Sequence, residues 1–147
     1  MADGMNFDVN ASSFLTKMEM ADKNAMEAGE QGMNDVVDEL IRISSEITPF
    51  YKGILQKSHK RKVRKTAGNI EAEVSYSVLE GDFNYALWIH EGVYELGEES
   101  EAKGGTTGMS GKTYQVGRKY LERPLKGERQ AFYDHIAKVM KNKLRGR

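Results

Sequence analysis

From Met33 onward, apolar residues recur at spacings of three and four. Met33, Val36, Val37, Leu40, Ile41, Ser44 and Ile47 fall on one stripe, with Asp35, Asp38, Glu39, Arg42 and Glu46 off it. This is the period of an amphipathic helix. Pro49 ends it, because a proline drives the residue before it out of the α region. By Ile70 the period has become two: Ile70, Ala72, Val74, Tyr76 and Val78 alternate with Glu71, Glu73, Ser75 and Ser77, as in a half-buried strand. A helix with one apolar stripe and a strand with one apolar face are both satisfied as layers around a shared core. The 147 residues suit one domain, 1–147, able to bury about two-thirds of its unfolded surface.

The remaining elements follow from local signals. Residues 1–12 lack periodicity and read as a flexible arm. Ser12 or Ser13 can cap a helix, and Phe14, Met18, Ala21, Ala25 and Ala28 continue a weak apolar face. The expectation is therefore a helix over 13–47, or two with a break near Gly29 and Gly32, since glycine costs about 1 kcal/mol against alanine there. Residues 54–66 predict a basic strand beside the first, and Gly81-Asp82 predicts a turn. Tyr85 to Glu91 is apolar on both faces and reads as a covered strand. Leu96 to Lys112 is rich in glycine and charge, a long exposed loop at 96–112. Tyr114 to Leu121 suggests a short strand. Pro124 opens a last helix with Ala131, Phe132, Ile136, Val139 and Met140 on one face, leaving 144–147 as a tail. The fold class expected is α+β: a long N-terminal helix, a small mainly antiparallel β-sheet and a C-terminal helix.

Charge is segregated along this frame. The chain has 22 basic and 22 acidic residues. Residues 1–47 carry −7, 48–69 carry +7, 70–101 carry −9 and 102–147 carry +9. Neighbouring blocks can fold against each other, or a basic face on one subunit can meet an acidic face on the next and close a ring. The candidate lateral contacts are Lys57, Lys60, Arg61, Lys62, Arg64 and Lys65 against Glu91, Glu95, Glu98 and Glu99. The candidate docking loop carries Leu96, Gly104, Gly105, Gly108, Met109 and Gly111. The mean hydropathy of −0.64 and the lack of a long apolar run argue against a membrane span, and no membrane partner is expected. The first residues lack a basic-then-apolar leader, so an intracellular product is expected.

Catalytic signatures are wanting. With no cysteine, disulfides, thiolate metal sites and cysteine nucleophiles are excluded. Gly105 to Thr113 ends like a phosphate-binding loop, but five residues instead of four separate Gly105 from Gly111, and no strand-to-helix context surrounds them. His90-Glu91 begins like a zinc-protease helix, yet Tyr94 stands at the second histidine position. The only other histidines are His59, inside a basic run, and His135. No catalytic, cofactor or metal site is expected. The segment Lys57 to Lys65 can also be read as a non-specific nucleic-acid surface, although no aromatic residues interleave its bases.

Three stretches carry a resemblance. Pro49-Phe50-Tyr51-Lys52-Gly53-Ile54-Leu55-Gln56-Lys57-Ser58 is similar to a Pro-x-x-Thr-Gly-x-Leu-x-x-Ser element, with Lys52 at the threonine position. Tyr85-Ala86-Leu87-Trp88-Ile89-His90-Glu91-Gly92 resembles a Tyr-Ala-x-x-Val-(His/Glu)-x-Gly strand. Gly117 to Leu125 is similar to a Gly-x-x-Phe-Leu-x-x-Ala-Leu element, with Pro124-Leu125 at its helix start. In this order, over residues 33–143, they resemble the tailed-phage neck proteins: head–tail connector, tail-completion, tail-terminator or minor capsid proteins. The resemblance implies a non-enzymatic virion protein of the neck, present in the host cytoplasm during assembly. It implies a homo-oligomeric ring, a hexamer favoured over a dodecamer. Its partners would be a head-closure or adaptor protein and a tail terminator or tube protein, with passing contact to DNA in the lumen.

Overall fold

The computed structural model describes residues 5–10, 13–19, 23–50, 53–66 and 69–145. Two long helices, α1 (Lys23–Ile47) and α5 (Glu122–Arg145), pack together beside a four-stranded antiparallel sheet. The sheet holds β1 (Met5–Asn10), β2 (Ser13–Glu19), β3 (Lys60–Thr66) and β4 (Asn69–Ser75) in the order β1-β2-β4-β3. Between β4 and α5 come a hairpin of β5 (Leu79–Glu80) and β6 (Phe83–Asn84), then α3 (Tyr85–Glu91). A single helical turn α4 (Glu98–Glu101) and a second hairpin of β7 (Thr106–Thr107) and β8 (Thr113–Tyr114) follow. One turn, α2 (Ile54–Lys57), links α1 to β3. The expected α+β class, with a long N-terminal helix, a small antiparallel sheet and a C-terminal helix, is the fold observed.

Of the helical stripe of α1, Met33, Val36, Val37, Leu40, Ser44 and Ile47 lie in the core; Ile41 is only partly buried at its edge, and Ile43, off the expected stripe, is fully buried. No break occurs at the glycines. A Cβ on Gly32 would stand 3.0 Å from the Cα of Ile136, so the missing side chain is what lets α1 and α5 meet backbone to backbone. His135 meets Asp35 at 2.9 Å and Lys143 meets Gln31 at 3.3 Å, so the two helices run antiparallel. α5 starts at Glu122, placing Pro124 in the first turn, where a missing N–H costs nothing. It runs on to Arg145, into the stretch expected to be a tail.

On β4, Ile70, Ala72 and Val74 face the core while Glu71, Glu73 and Ser75 do not, the alternation read from the sequence. β3 pairs with it in a register that sets Arg64 against Glu71 and Lys62 against Glu73. The strand is shorter than residues 54–66, because 54–57 close into α2 after Gly53 takes a left-handed turn (φ 72°). The other side of β4 is taken by β2, with Phe14 opposite Val74 and Met18 opposite Ile70. Here the expectations of a loose arm and of a helix from Ser13 are corrected to a β1–β2 hairpin; Ser12 lies outside the described residues. A four-residue interval fits both a helical turn and two strand repeats, so Phe14 and Met18 could not distinguish them. Pairing β2 also satisfies the backbone of β4 on both sides.

The second correction is Tyr85 to Glu91, which is a helix instead of a strand. The Asn84 side chain caps it, its Oδ1 accepting the N–H groups of Ala86 and Val78 at 3.1 Å each. Ala86, Ile89 and His90 turn inward at helical spacing.

The third concerns residues 96–112, which are largely exposed, as expected, but firmly held. Lys103 donates to the carbonyls of Ser45 and Thr48, supplying the cation that the last turn of α1 lacks. Arg42 holds Thr106 Oγ1 at 3.1 Å and the Thr107 carbonyl at 2.8 Å. Glu128, fully buried on α5, accepts the Ser110 N–H at 2.8 Å, the Ser110 hydroxyl at 2.5 Å and the Tyr114 hydroxyl at 2.7 Å. The glycine-rich segment is thus a fixed hairpin, with its polar groups satisfied by side chains from α1 and α5.

Candidate functional site

The β5–β6 hairpin turns at Gly81, whose φ of 59° is the left-handed conformation such a tight turn needs. It aims Leu79 and Phe83 outward, and α3 adds Leu87 and Trp88 on its outer side. Val93, just beyond the helix, is 87% exposed and Trp88 50%. A groove of about 460 Å³ runs between hairpin and helix, with Phe83, Leu87 and Trp88 as its apolar wall and Asp82 and Glu91 at its margin. On the other side of Trp88 lies a smaller hollow of about 180 Å³, bounded by Phe50, Tyr94, Glu95 and Leu96. Trp88 is common to both, and stacks on Tyr94 with ring centroids 5.5 Å apart and planes 19° from parallel. The result is an apolar centre with an acidic rim, the anatomy of a protein-binding surface with an aromatic anchor.

The base of this surface is rigid. His90 is fully buried, its Nδ1 2.6 Å from Glu91 and its Nε2 3.4 Å from the Glu122 N–H. Accepting at Nε2 leaves Nδ1 as the donor to the carboxylate. Burial pulls the imidazole pKa down, with Glu91 opposing. The Glu91 carboxyl is held below its ordinary value chiefly by its hydrogen bond from Lys119. Arg118 reaches the carbonyls of Gly92 and Glu91 at 2.7 and 2.8 Å, closing the C-terminus of α3. The histidine of this pair is buried while its glutamate stays exposed at the groove margin, and together they tie α3 to the start of α5. Among the described residues, no three histidine, aspartate or glutamate side chains are grouped to hold a metal ion. Among them, too, no helix is long and apolar enough to cross a membrane.

The residues expected at a lateral interface divide. All six bases of the Lys57–Lys65 segment are exposed. Arg61 is held by Asp38 at 3.2 Å and Asn34 at 2.7 Å, Arg64 by Glu71 at 2.9 Å, and Lys65 by Glu30 at 3.3 Å. Half of that charge is therefore screened within the chain. Lys57, Lys60 and Lys62 form no ion pair among the described residues. Of the acids, Glu91 is engaged by His90 and Lys119, whereas Glu95, Glu98 and Glu99 are exposed and form no ion pair among the described residues. Of the docking-loop residues, Leu96 joins the hollow beside Trp88. Gly104, Gly105, Gly108, Met109 and Gly111 belong to the β7–β8 hairpin and its approach, away from that hollow's lining.

Sequence reasoning missed Leu79, Phe83, Leu87, Trp88 and Val93. The signal was present: a segment apolar on both faces, read as doubly covered, is a helix with one face covered and the other open. Comparisons with protein families, curated proteins and solved structures found no match for this chain.

Proposed function

We propose that this chain is a structural subunit of the neck of a tailed phage or phage-tail-like particle, forming a ring that joins or completes the tail at the head–tail interface. One observation carries the reading: a single chain bears an acid-rimmed apolar surface and a basic edge whose Lys57, Lys60 and Lys62 form no ion pair among the described residues. Different but complementary surfaces join copies head to tail, and the chain of contacts closes into a ring where the rotation permits. The three motif segments that resemble neck proteins also pack on one another. The Lys119 N–H donates to the His90 carbonyl at 2.7 Å and the Tyr120 hydroxyl to the Ala86 carbonyl at 2.8 Å, joining the third segment to the second, while the Gly117 N–H reaches the Ile47 carbonyl at 3.0 Å, two residues before the first. Leu55 and Leu121 share one core.

In this reading the protein does no catalysis and resides in the virion, passing through the host cytoplasm during assembly. Its partners are further copies, a hexamer favoured over a dodecamer, with a head-closure or adaptor protein on one side and a tail terminator or tube protein on the other. Electron microscopy and mass measurement of the purified protein should reveal closed rings of one size. A protein that stays monomeric, and also fails to bind head-closure and tail proteins, would refute the reading.

Lys57, Lys60 and Lys62, exposed and without an ion pair among the described residues, favour a second reading, a small non-specific nucleic-acid-binding protein. If those three lysines each neutralise a phosphate, log affinity for duplex DNA falls with log salt at a slope of about −3. Such a slope, with no rings, would replace the first reading by the second.

A further inference from the structure

We infer that the Trp88 surface is the receiving half of a head-to-tail contact, and that the α2–β3 edge of a second copy is the inserting half. Ile54, exposed on α2, would meet the apolar groove, while Lys57, Lys60 and Lys62 would meet the acidic rim. This rests on the self-assembly reading above and names its contact.

Three observations lead to this pairing. First, Phe83, Leu87, Trp88 and Val93 are left in water by a chain that fully buries residues as large as Tyr76, Tyr120 and Phe132. A grouped apolar surface of this kind marks a protein contact. Second, among the described residues the side chains without an ion pair differ in sign between the two surfaces, apart from Arg118 at the end of α3. The rim is acidic, with Asp82 and Glu95 beside the groove and hollow and Glu98 and Glu99 following on α4. The edge strand β3 and the turn before it keep the unpaired lysines. Third, the sorting disfavours contact between like surfaces. Two basic edges repel, as edge lysines commonly do to prevent strand-to-strand association. Two acidic rims repel as well. Basic edge against acidic rim is the combination that removes both penalties, and repeated in one direction from copy to copy it is a heterologous contact. Arg61, Arg64 and Lys65 are anchored to α1 and β4, which fixes the edge in place while the other bases remain available.

The test uses two variants of the full chain. Leu87→Asp spoils the receiving surface at an exposed position. Lys57→Glu with Lys60→Glu spoils the inserting edge; Lys62 is left alone because Glu73 stands opposite it in the register. Circular dichroism spectra matching wild type, each with a cooperative melt, establish that both variants fold, the melting point itself falling where association is lost. In analytical ultracentrifugation each variant alone should associate at least about 30-fold more weakly than wild type, the usual loss at an anchor residue. An equimolar mixture should recover a one-to-one dimer and nothing larger, because one intact edge then meets one intact groove. A mixture that remains monomeric overturns the pairing. Variants that assemble into rings like wild type also overturn it and leave the ring reading standing. Wild-type protein that grows into open chains sensitive to both variants supports the pairing and overturns the ring.

Discussion

Gly108 lies under the buried carboxylate of Glu128, and substituting alanine there tests how the β7–β8 hairpin is held. An added Cβ would stand 2.5 Å from Glu128 Cδ and 2.6 Å from each carboxylate oxygen. Those oxygens accept three hydrogen bonds, two from Ser110 and one from Tyr114, all between 2.5 and 2.8 Å. Clearing the methyl group moves the carboxylate by about 1 Å, enough to break or stretch all three contacts. Hydrogen bonds to a charged group contribute about 1.5–3 kcal/mol each, but a displaced carboxylate regains water, so the net cost for Gly108→Ala is about 3 kcal/mol. For a domain of this size that lowers Tm by roughly 10 °C.

Urea denaturation of Gly108→Ala, Glu128→Ser and the double variant gives a thermodynamic cycle. Glu128→Ser alone should also destabilise, by about 3 kcal/mol, because Ser110 and Tyr114 lose their acceptor. In that background the alanine methyl has room, and its further cost should fall below about 0.5 kcal/mol. The coupling between the two sites is then about 2–3 kcal/mol. Strictly additive costs would refute the idea that the hairpin is seated by this carboxylate.

Two other perturbations test the frame beneath the Trp88 surface. Gly32→Ala should destabilise by about 1 kcal/mol in urea despite alanine's helix propensity, because the methyl meets the Ile136 backbone; stabilisation by the propensity gain would contradict the close approach. His90 has its pKa lowered from 6.5 by burial, so the folded state binds fewer protons than the unfolded one just below that pH. Stability is therefore full above about pH 6.5 and falls as the pH drops below it, by at most about 1.4 kcal/mol per pH unit. A His90→Asn variant should lose this dependence, and identical urea midpoints for wild type at pH 5.5 and 7.5 would refute it.

The parts of the fold legible in the sequence are those where one side of an element is buried and the other solvated. Met33 to Ile47 and Phe132 to Ile136 announce helices, and Ile70 to Val74 against Glu71 and Glu73 announces a strand, because burial imposes the period of the backbone. The misread segments are those where that link fails. Tyr85 to Glu91 shows apolar residues on a side that the monomer does not cover, so its pattern mixes core with surface. Phe14 and Met18 sit at an interval common to helix and strand, and their pairing with β4 is decided by a strand more than fifty residues away. The order of Leu96 to Lys112 comes from Arg42, Ser45, Thr48 and Glu128, all distant in sequence, which local composition does not encode. Charge blocks located the basic edge correctly, but not which half of it is already screened by Glu30, Asp38 and Glu71.

The short stretch from Gly117 to Tyr120 has a mechanical consequence. It is bonded to the last residue of α1 through Gly117, and to both the end and the interior of α3 through Arg118, Lys119 and Tyr120. It then becomes the first turn of α5, where Arg123 closes back on the Arg118 carbonyl. Pulling on Trp88 therefore stretches several hydrogen bonds at once, spread across three helices, with no single joint to open. α3 is short enough to yield easily if it stood alone, yet here it is clamped as a strut. Force arriving at that surface is passed directly to the two longest helices of the protein.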